Sequence, residues 1–162
     1  MSRGMVIVGA IGALVFPAAV GASAQTLFEG TFSGNATVRP CGVATLCAYE
    51  PLAGKARHLG RATLIKQVVV HLTSEPCAGG GTVSTFTQTA TLTAANGDTI
   101  ELAGSGTACA ARGHAIGSGT LTTTGGSGRF EHTTAVLEEY FEHNLATGTI
   151  DSRLTGTLAK SG

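Results

Sequence analysis

Large aromatic side chains and charge are both scarce in this 162-residue chain. It has no tryptophan, two tyrosines and six phenylalanines, and its ten basic residues balance its ten acidic ones. Because it has no basic surplus to neutralise phosphates, binding to nucleic acid is not expected. No apolar run reaches the roughly 20 residues that a membrane-spanning helix needs. We therefore expect no membrane span once the N-terminal segment is removed.

Metal-binding and catalytic motifs are equally scarce. No H-x-H pair or helical i, i+4 pair occurs among the five histidines, and the C-x5-C spacing has no second half to complete a zinc site. No G-x-S-x-G element precedes a helix, so a serine triad has no support. We expect no metal and no cofactor. The histidines are predicted to lie on the surface or in loops: His58, His71, His114, His132 and His143.

The N-terminus has the order of an export signal. Arg3 precedes an apolar run from Met5 to Phe16, and small residues follow as far as Ala22-Ser23-Ala24. We predict a signal peptide over 1–24 and a single secreted or periplasmic domain over 25–162. If the host is eukaryotic, the sequence Asn35-Ala36-Thr37 is a glycosylation acceptor.

The exported part has the alternation of β-strands and no helical periodicity. Strands are predicted near 27–38, 59–73, 82–94, 99–107, 114–124, 130–142 and 146–158, and 39–57 is interpreted as a long connection with at most one short strand. The predicted fold is all-β, a small closed antiparallel up-and-down barrel of about eight strands. A two-sheet sandwich is the alternative. Glycines within the strands favour the barrel, because closed sheets need close backbone approach.

The Ala95-Asn96-Gly97 turn determines how its two flanking strands pair. A two-residue loop would mix polar and apolar faces, whereas a three-residue loop with Gly97 in the left-handed region pairs Leu92 with Ile100. We predict the second arrangement.

Four cysteines in an exported chain indicate two disulfides. In an up-and-down barrel, we expect the 39–57 connection and the Asn96-Gly97 turn at one end, and Cys77 and Cys109 at the other. Crossed pairings would have to span the barrel, which exceeds the Cα separation of a disulfide. We therefore predict the pairs Cys41–Cys47 and Cys77–Cys109.

Residues 122–131, which read TTTGGSGRFE, resemble the G-G-[ST]-G-x-F turn and strand of the allene oxide cyclase and dirigent barrel proteins. Exported bacterial proteins of unknown role are similar. The motifs HLGR at 58–61 and AANGD at 94–98 precede this element in the same order. The resemblance extends from His58 to the C-terminus and implies an eight-stranded barrel. Neither the cyclases' catalytic positions nor the dirigent proteins' paired aspartates find a match in this chain.

Small residues on the predicted inner faces, with few large rings to fill the space between them, indicate either a flattened barrel or a barrel that contains a cavity. We expect apolar lining from Phe32, Phe86, Leu92, Leu102 and Leu154, with Gln88 as a polar contact. Alternation also turns one of Glu138 and Glu139 inward, where it is either buried, with a raised pKa, or solvated near the barrel rim. The candidate ligand-binding residues are Phe32, Phe86, Gln88, Leu102, Glu138 and Glu139.

The leading functional hypothesis is an exported, non-enzymatic barrel that binds a small hydrophobic molecule or a surface partner. A cyclase or isomerase acting in the barrel cavity is the second hypothesis. The third is a structural or interaction protein that uses its threonine-rich outer face. The sequence indicates neither a specific activity nor an oligomeric state.

Overall fold

The computed structural model describes residues 25–160. The predicted signal peptide over 1–24 lies outside these residues. The described part consists of nine β-strands and two short 3-10 turns, at Ala78–Gly80 and Gly128–Phe130. The strands are β1 (Gln25–Asn35), β2 (Thr37–Gly42), β3 (Thr45–Ala56), β4 (Gly60–Cys77), β5 (Gly81–Ala94), β6 (Thr99–Ala111), β7 (His114–Gly126), β8 (Thr133–Asn144) and β9 (Thr149–Lys160).

The strands form one antiparallel sheet whose pairings close into a ring. Each strand from β3 to β9 pairs with its neighbours in sequence, and β1 pairs with both β9 and β3. β1 and β2 occupy successive halves of the same edge of β3 and act as one strand interrupted at Ala36. Eight strands thus complete the ring, and the predicted all-β up-and-down barrel is confirmed over the sandwich alternative.

The predicted connection over 39–57 is wrong. Most of it is β3, which pairs with β4 from Thr45 to Ala56 along the barrel wall. Leu46, Ala48, Glu50 and Leu52 share the inner face of this strand. A charged side chain and the adjacent Pro51 weaken the apolar alternation of this segment, which explains why its sequence resembles a loop.

The β5–β6 hairpin has the predicted register. Gly97 has a φ of 90°, its backbone N–H donates to Ala94 O, and Leu92 pairs with Ile100. A left-handed residue at this position favours glycine. The three-residue turn keeps the apolar side chains of both strands on the inner face, as predicted.

Both predicted disulfides are present. Cys41 bonds Cys47 and Cys77 bonds Cys109, with Cα separations of 5.7 and 5.9 Å. The positions predicted for them at opposite ends of the barrel are wrong. Because β3 crosses the barrel, its first residues pair with the second half of β4, Thr45 with His71 and Cys47 with Val69, and Cys77 ends the same strand. The two disulfides therefore lie in the same half of the barrel.

The interior is divided along the barrel axis. The half nearer the Asn96-Gly97 turn contains a tightly packed apolar core that includes Phe32, Leu64, Leu102, Leu137 and Leu154. A smaller cluster of Ala48, Val68 and Phe86 lies toward the disulfide end. Between the two clusters the strands contribute buried polar side chains rather than apolar ones.

Candidate functional site

The disulfide-bearing half of the barrel contains an open cup of about 240 Å³. Its wall is predominantly apolar, and Phe86 and Phe141 contribute two rings in an edge-to-face arrangement with centroids 5.6 Å apart. Val38, Leu72 and Leu145 line the cup and are substantially exposed. The cup therefore has a mostly apolar wall, part of which is exposed. Such a cavity suits a small organic molecule.

Lys66 lies at the centre of the polar layer between cup and core. Its side chain is on the inner face of β4, and the residue is only 1% exposed. The Lys66 ammonium lies 2.7 Å from Glu139 Oε1 of β8 and 2.7 Å from Glu50 Oε2 of β3. It also lies 5.4 Å from the centre of the Phe141 ring. A buried ammonium with two carboxylates forms the floor of the cup.

Glu139 accepts more side-chain hydrogen bonds than Glu50. Ser152 Oγ donates to its Oε1 at 2.7 Å, and Gln88 Nε2 donates to its Oε2 at 2.5 Å. Burial by itself raises the pKa of Glu139, but the Lys66 charge and these hydrogen bonds outweigh it and hold the pKa below its ordinary value of 4.5. Burial likewise opposes the charge on Lys66, yet the two carboxylates raise the pKa of its ammonium above 10.5. Both groups are therefore charged at neutral pH.

Two buried oxygen atoms at the cup receive no directed hydrogen bond from the described residues. They are Glu50 Oε2 and Gln88 Oε1. Glu50 Oε2 is ion-paired with the Lys66 ammonium 2.7 Å away, so Gln88 Oε1 is the one of the two that has no donor within the described residues. Gln88 is 4% exposed, and its amide orientation follows from donating Nε2 to the Glu139 carboxylate. A buried acceptor without a donor is costly, so Gln88 Oε1 is suited to a donor from outside the protein.

His143 also lines the cup, on the same inner face of β8 as Glu139 and Phe141. Burial lowers the pKa of its imidazole below 6.5, and the Lys66 charge acts in the same direction, against the opposing effect of Glu50. The predicted surface position of His143 is wrong, whereas His58, His71, His114 and His132 are exposed as predicted. A neutral imidazole in the cup can accept a proton.

The charge states limit the chemistry of this floor. A protonated Lys66 ammonium is not a nucleophile toward a carbonyl group, and an ionised Glu139 with its donors in place is not a proton donor. The floor presents hydrogen-bond acceptors and negative charge to a bound molecule. The arrangement favours binding over covalent chemistry by these two residues.

The structure separates the six candidate residues that the sequence grouped together. Phe86 and Gln88 line the cup, and Glu139 lies at its floor, hydrogen-bonded to Gln88. Phe32 and Leu102 belong instead to the packed core below. Glu138 is on the outer face and accepts a hydrogen bond from Thr120.

Glu139 is therefore the inward member of the carboxylate pair, but the raised pKa predicted for it is wrong. The reason is Lys66, which sequence reasoning missed together with Glu50. Alternation contained a signal for both, since Lys66 has the parity of Leu64 and Val68, and Glu50 has that of Ala48 and Leu52. A charged residue at an inner position of a strand indicates a buried charge that needs a partner.

Within residues 25–160, no group of three His, Cys, Asp or Glu side chains has the arrangement of a metal site. In the same residues, no helix has the length and apolar character needed to cross a membrane.

Comparison with the models of known protein families, with curated proteins and with solved structures finds no match to this chain. The geometry of the cup and its floor is therefore the basis on which we infer the function.

Proposed function

We propose that this protein is an exported barrel that binds a small, mostly apolar molecule in the cup. One observation carries the proposal: at the floor of an apolar cup, beside the Glu50 carboxylate, the buried acceptor Gln88 Oε1 has no donor among the described residues. A binding protein gains affinity when its ligand supplies such a donor, and the apolar wall takes up the remainder of the molecule. The two disulfides are compatible with an oxidising, exported compartment.

A thermal-shift screen of residues 25–162 against compact apolar compounds tests the proposal. A ligand present at a hundred times its Kd stabilises the folded state by about 2.7 kcal/mol. Ala110→Leu, which fills part of the cup, is expected to abolish the shift. Ala53→Leu on the exposed outer face is the matched control and is expected to retain it.

The proposal fails if no compound shifts the midpoint of the parent protein, or if Ala110→Leu leaves every shift intact. Export is tested separately. The protein recovered from outside the cytoplasm is expected to begin at Gln25, and a preserved Met1 would contradict the signal peptide.

A cyclase or isomerase acting in the same cup is the second candidate, in line with the resemblance to allene oxide cyclases. His143 favours it, because a neutral imidazole that lines the cup is able to move a proton on a bound molecule. Conversion of a compound identified by the screen, lost in His143→Asn while binding persists, distinguishes the enzyme from the binding protein.

A further inference from the structure

We infer that the molecule bound in the cup is a compact apolar amine, held as its ammonium ion by Glu50 and Gln88. This inference rests on the proposed function and specifies the chemical class of the ligand. Three features support it: the charge of the floor, the Gln88 oxygen without a donor among the described residues, and the aromatic wall.

The floor carries an excess of negative charge. Among the described residues, the ionisable side chains that line the cup are Glu50, Lys66 and His143, and Glu139 lies at the floor beside Lys66. With His143 neutral, two carboxylates face one ammonium. The net charge is one negative unit on side chains that are almost completely buried, where an unbalanced charge is costly. A monovalent cation restores the balance, a neutral molecule leaves it unchanged and a carboxylate increases it.

The available hydrogen-bonding groups point to the same class. The Lys66 ammonium lies 2.7 Å from a carboxylate oxygen of Glu50 and 2.7 Å from one of Glu139, so its donors are already engaged. Among the described residues, the buried atom without a donor is an acceptor, the side-chain oxygen of Gln88, which is almost completely buried. An alkylammonium has only donors, so it satisfies this acceptor and the Glu50 carboxylate and needs no donor from the protein.

The wall provides the third argument. Phe86 and Phe141 line the cup, and a cation over an aromatic face is attracted most strongly where water is excluded. The same wall removes the hydrocarbon part of the ligand from water. A volume of about 240 Å³ restricts the ligand to a compact body.

Three compounds with the same hydrocarbon body separate the classes: cyclohexylmethylamine, cyclohexylmethanol and cyclohexanecarboxylate. We expect the amine to bind at least tenfold more tightly than the alcohol in isothermal titration calorimetry at neutral pH, and the carboxylate to show no binding. The comparison is made on the unmodified protein, so it does not depend on the folding of a variant.

Variants then locate the contact. Glu50→Gln is expected to weaken amine binding at least tenfold while changing alcohol binding less than threefold. Glu138→Gln on the outer face is the matched control and is expected to change neither. Gln88→Leu is a second test of the same contact, with the same expected loss for the amine.

If the alcohol or the carboxylate binds as tightly as the amine, and Ala110→Leu abolishes that binding, the amine assignment is wrong but the cup remains a binding site. An unchanged affinity for the amine in both Glu50→Gln and Gln88→Leu also overturns the assignment. If none of the three compounds binds but the wider screen finds a ligand, the amine class is wrong and the proposed function stands. If the wider screen also finds no ligand, the proposed function is wrong as well.

Discussion

Lys66 and Glu139 form an ion pair across the inside of the barrel, with Nζ and Oε1 2.7 Å apart. They lie on β4 and β8, which stand opposite each other in the ring of eight strands. Neighbouring strands are joined by backbone hydrogen bonds, but opposite strands meet only through their side chains. The pair therefore connects opposite sides of the wall and separates the open cup from the packed core.

Removing the central cation should destabilise the fold strongly. Lys66→Met leaves Glu139 and Glu50 buried without a counter-charge, and we expect the free energy of unfolding to fall by about 3–5 kcal/mol in urea denaturation. Replacing all three groups, as Lys66→Met, Glu50→Gln and Glu139→Gln together, should recover most of the loss. Replacing Arg153 of the exposed Arg153–Glu29 pair by Met should cost about 1 kcal/mol or less. A comparable small effect at Lys66 would contradict the role assigned to the buried cluster.

Stability should decline on acidification in two stages. The pKa of His143 is lowered in the folded state, so the unfolded chain takes up a proton first as the pH falls below 6.5, and stability is lost. The pKa of Glu139 is also lowered, so a further loss begins as the pH falls below 4.5. The Lys66 contribution has the opposite sign, because its raised pKa stabilises the fold below pH 10.5 and is lost as the pH rises further.

His143→Asn isolates the first stage. Its unfolding free energy should change less between pH 7.5 and pH 5.0 than that of the parent protein. His132→Asn, at an exposed position, should follow the parent. Equal slopes in all three proteins would show that His143 does not carry the effect.

The two disulfides should contribute unequally to stability. The Cys77–Cys109 bond joins residues that are 32 positions apart in the sequence, whereas the Cys41–Cys47 bond joins residues that are 6 positions apart. The chain-entropy estimate gives about 3.7 and about 2.2 kcal/mol, so replacing the first pair by alanine should lower the urea midpoint more. Peptide mapping under non-reducing conditions should recover only these two pairs. A mixed pair would contradict the two disulfides of the structure.

Gly104 should tolerate no side chain, because it lies where β6 and β7 approach closely. A Cβ added there would overlap the carbonyl oxygen of Thr120 on the neighbouring strand. We expect Gly104→Ala to cost at least about 1–3 kcal/mol, the usual cost of overpacking. At Gly125 an added Cβ would lie 3.8 Å from its nearest neighbour, Glu101, so Gly125→Ala should be nearly neutral in thermal denaturation. Equal costs at both positions would contradict the close approach.

Much of the fold could be predicted from local patterns. Alternation identified most of the strands and the inner residues Ile150, Leu154 and Leu158. Gly97 determined the β5–β6 register. The predicted cysteine pairs are correct, although the placement at opposite ends from which they were argued is wrong. These features follow from the pleat, which places every second side chain on one face, and from turns that depend on a few adjacent residues.

The tertiary structure alone decided how the inner residues combine. Alternation required one of Glu138 and Glu139 to face inward, but it contained no information on what stands opposite. Closure of the ring brings Glu50 and Glu139 to the same ammonium from β3 and β8, and this reverses the direction of the Glu139 pKa shift. A period of two specifies the face of a side chain, whereas depth along the barrel and the partner across it depend on strand tilt and closure, which join residues far apart in sequence.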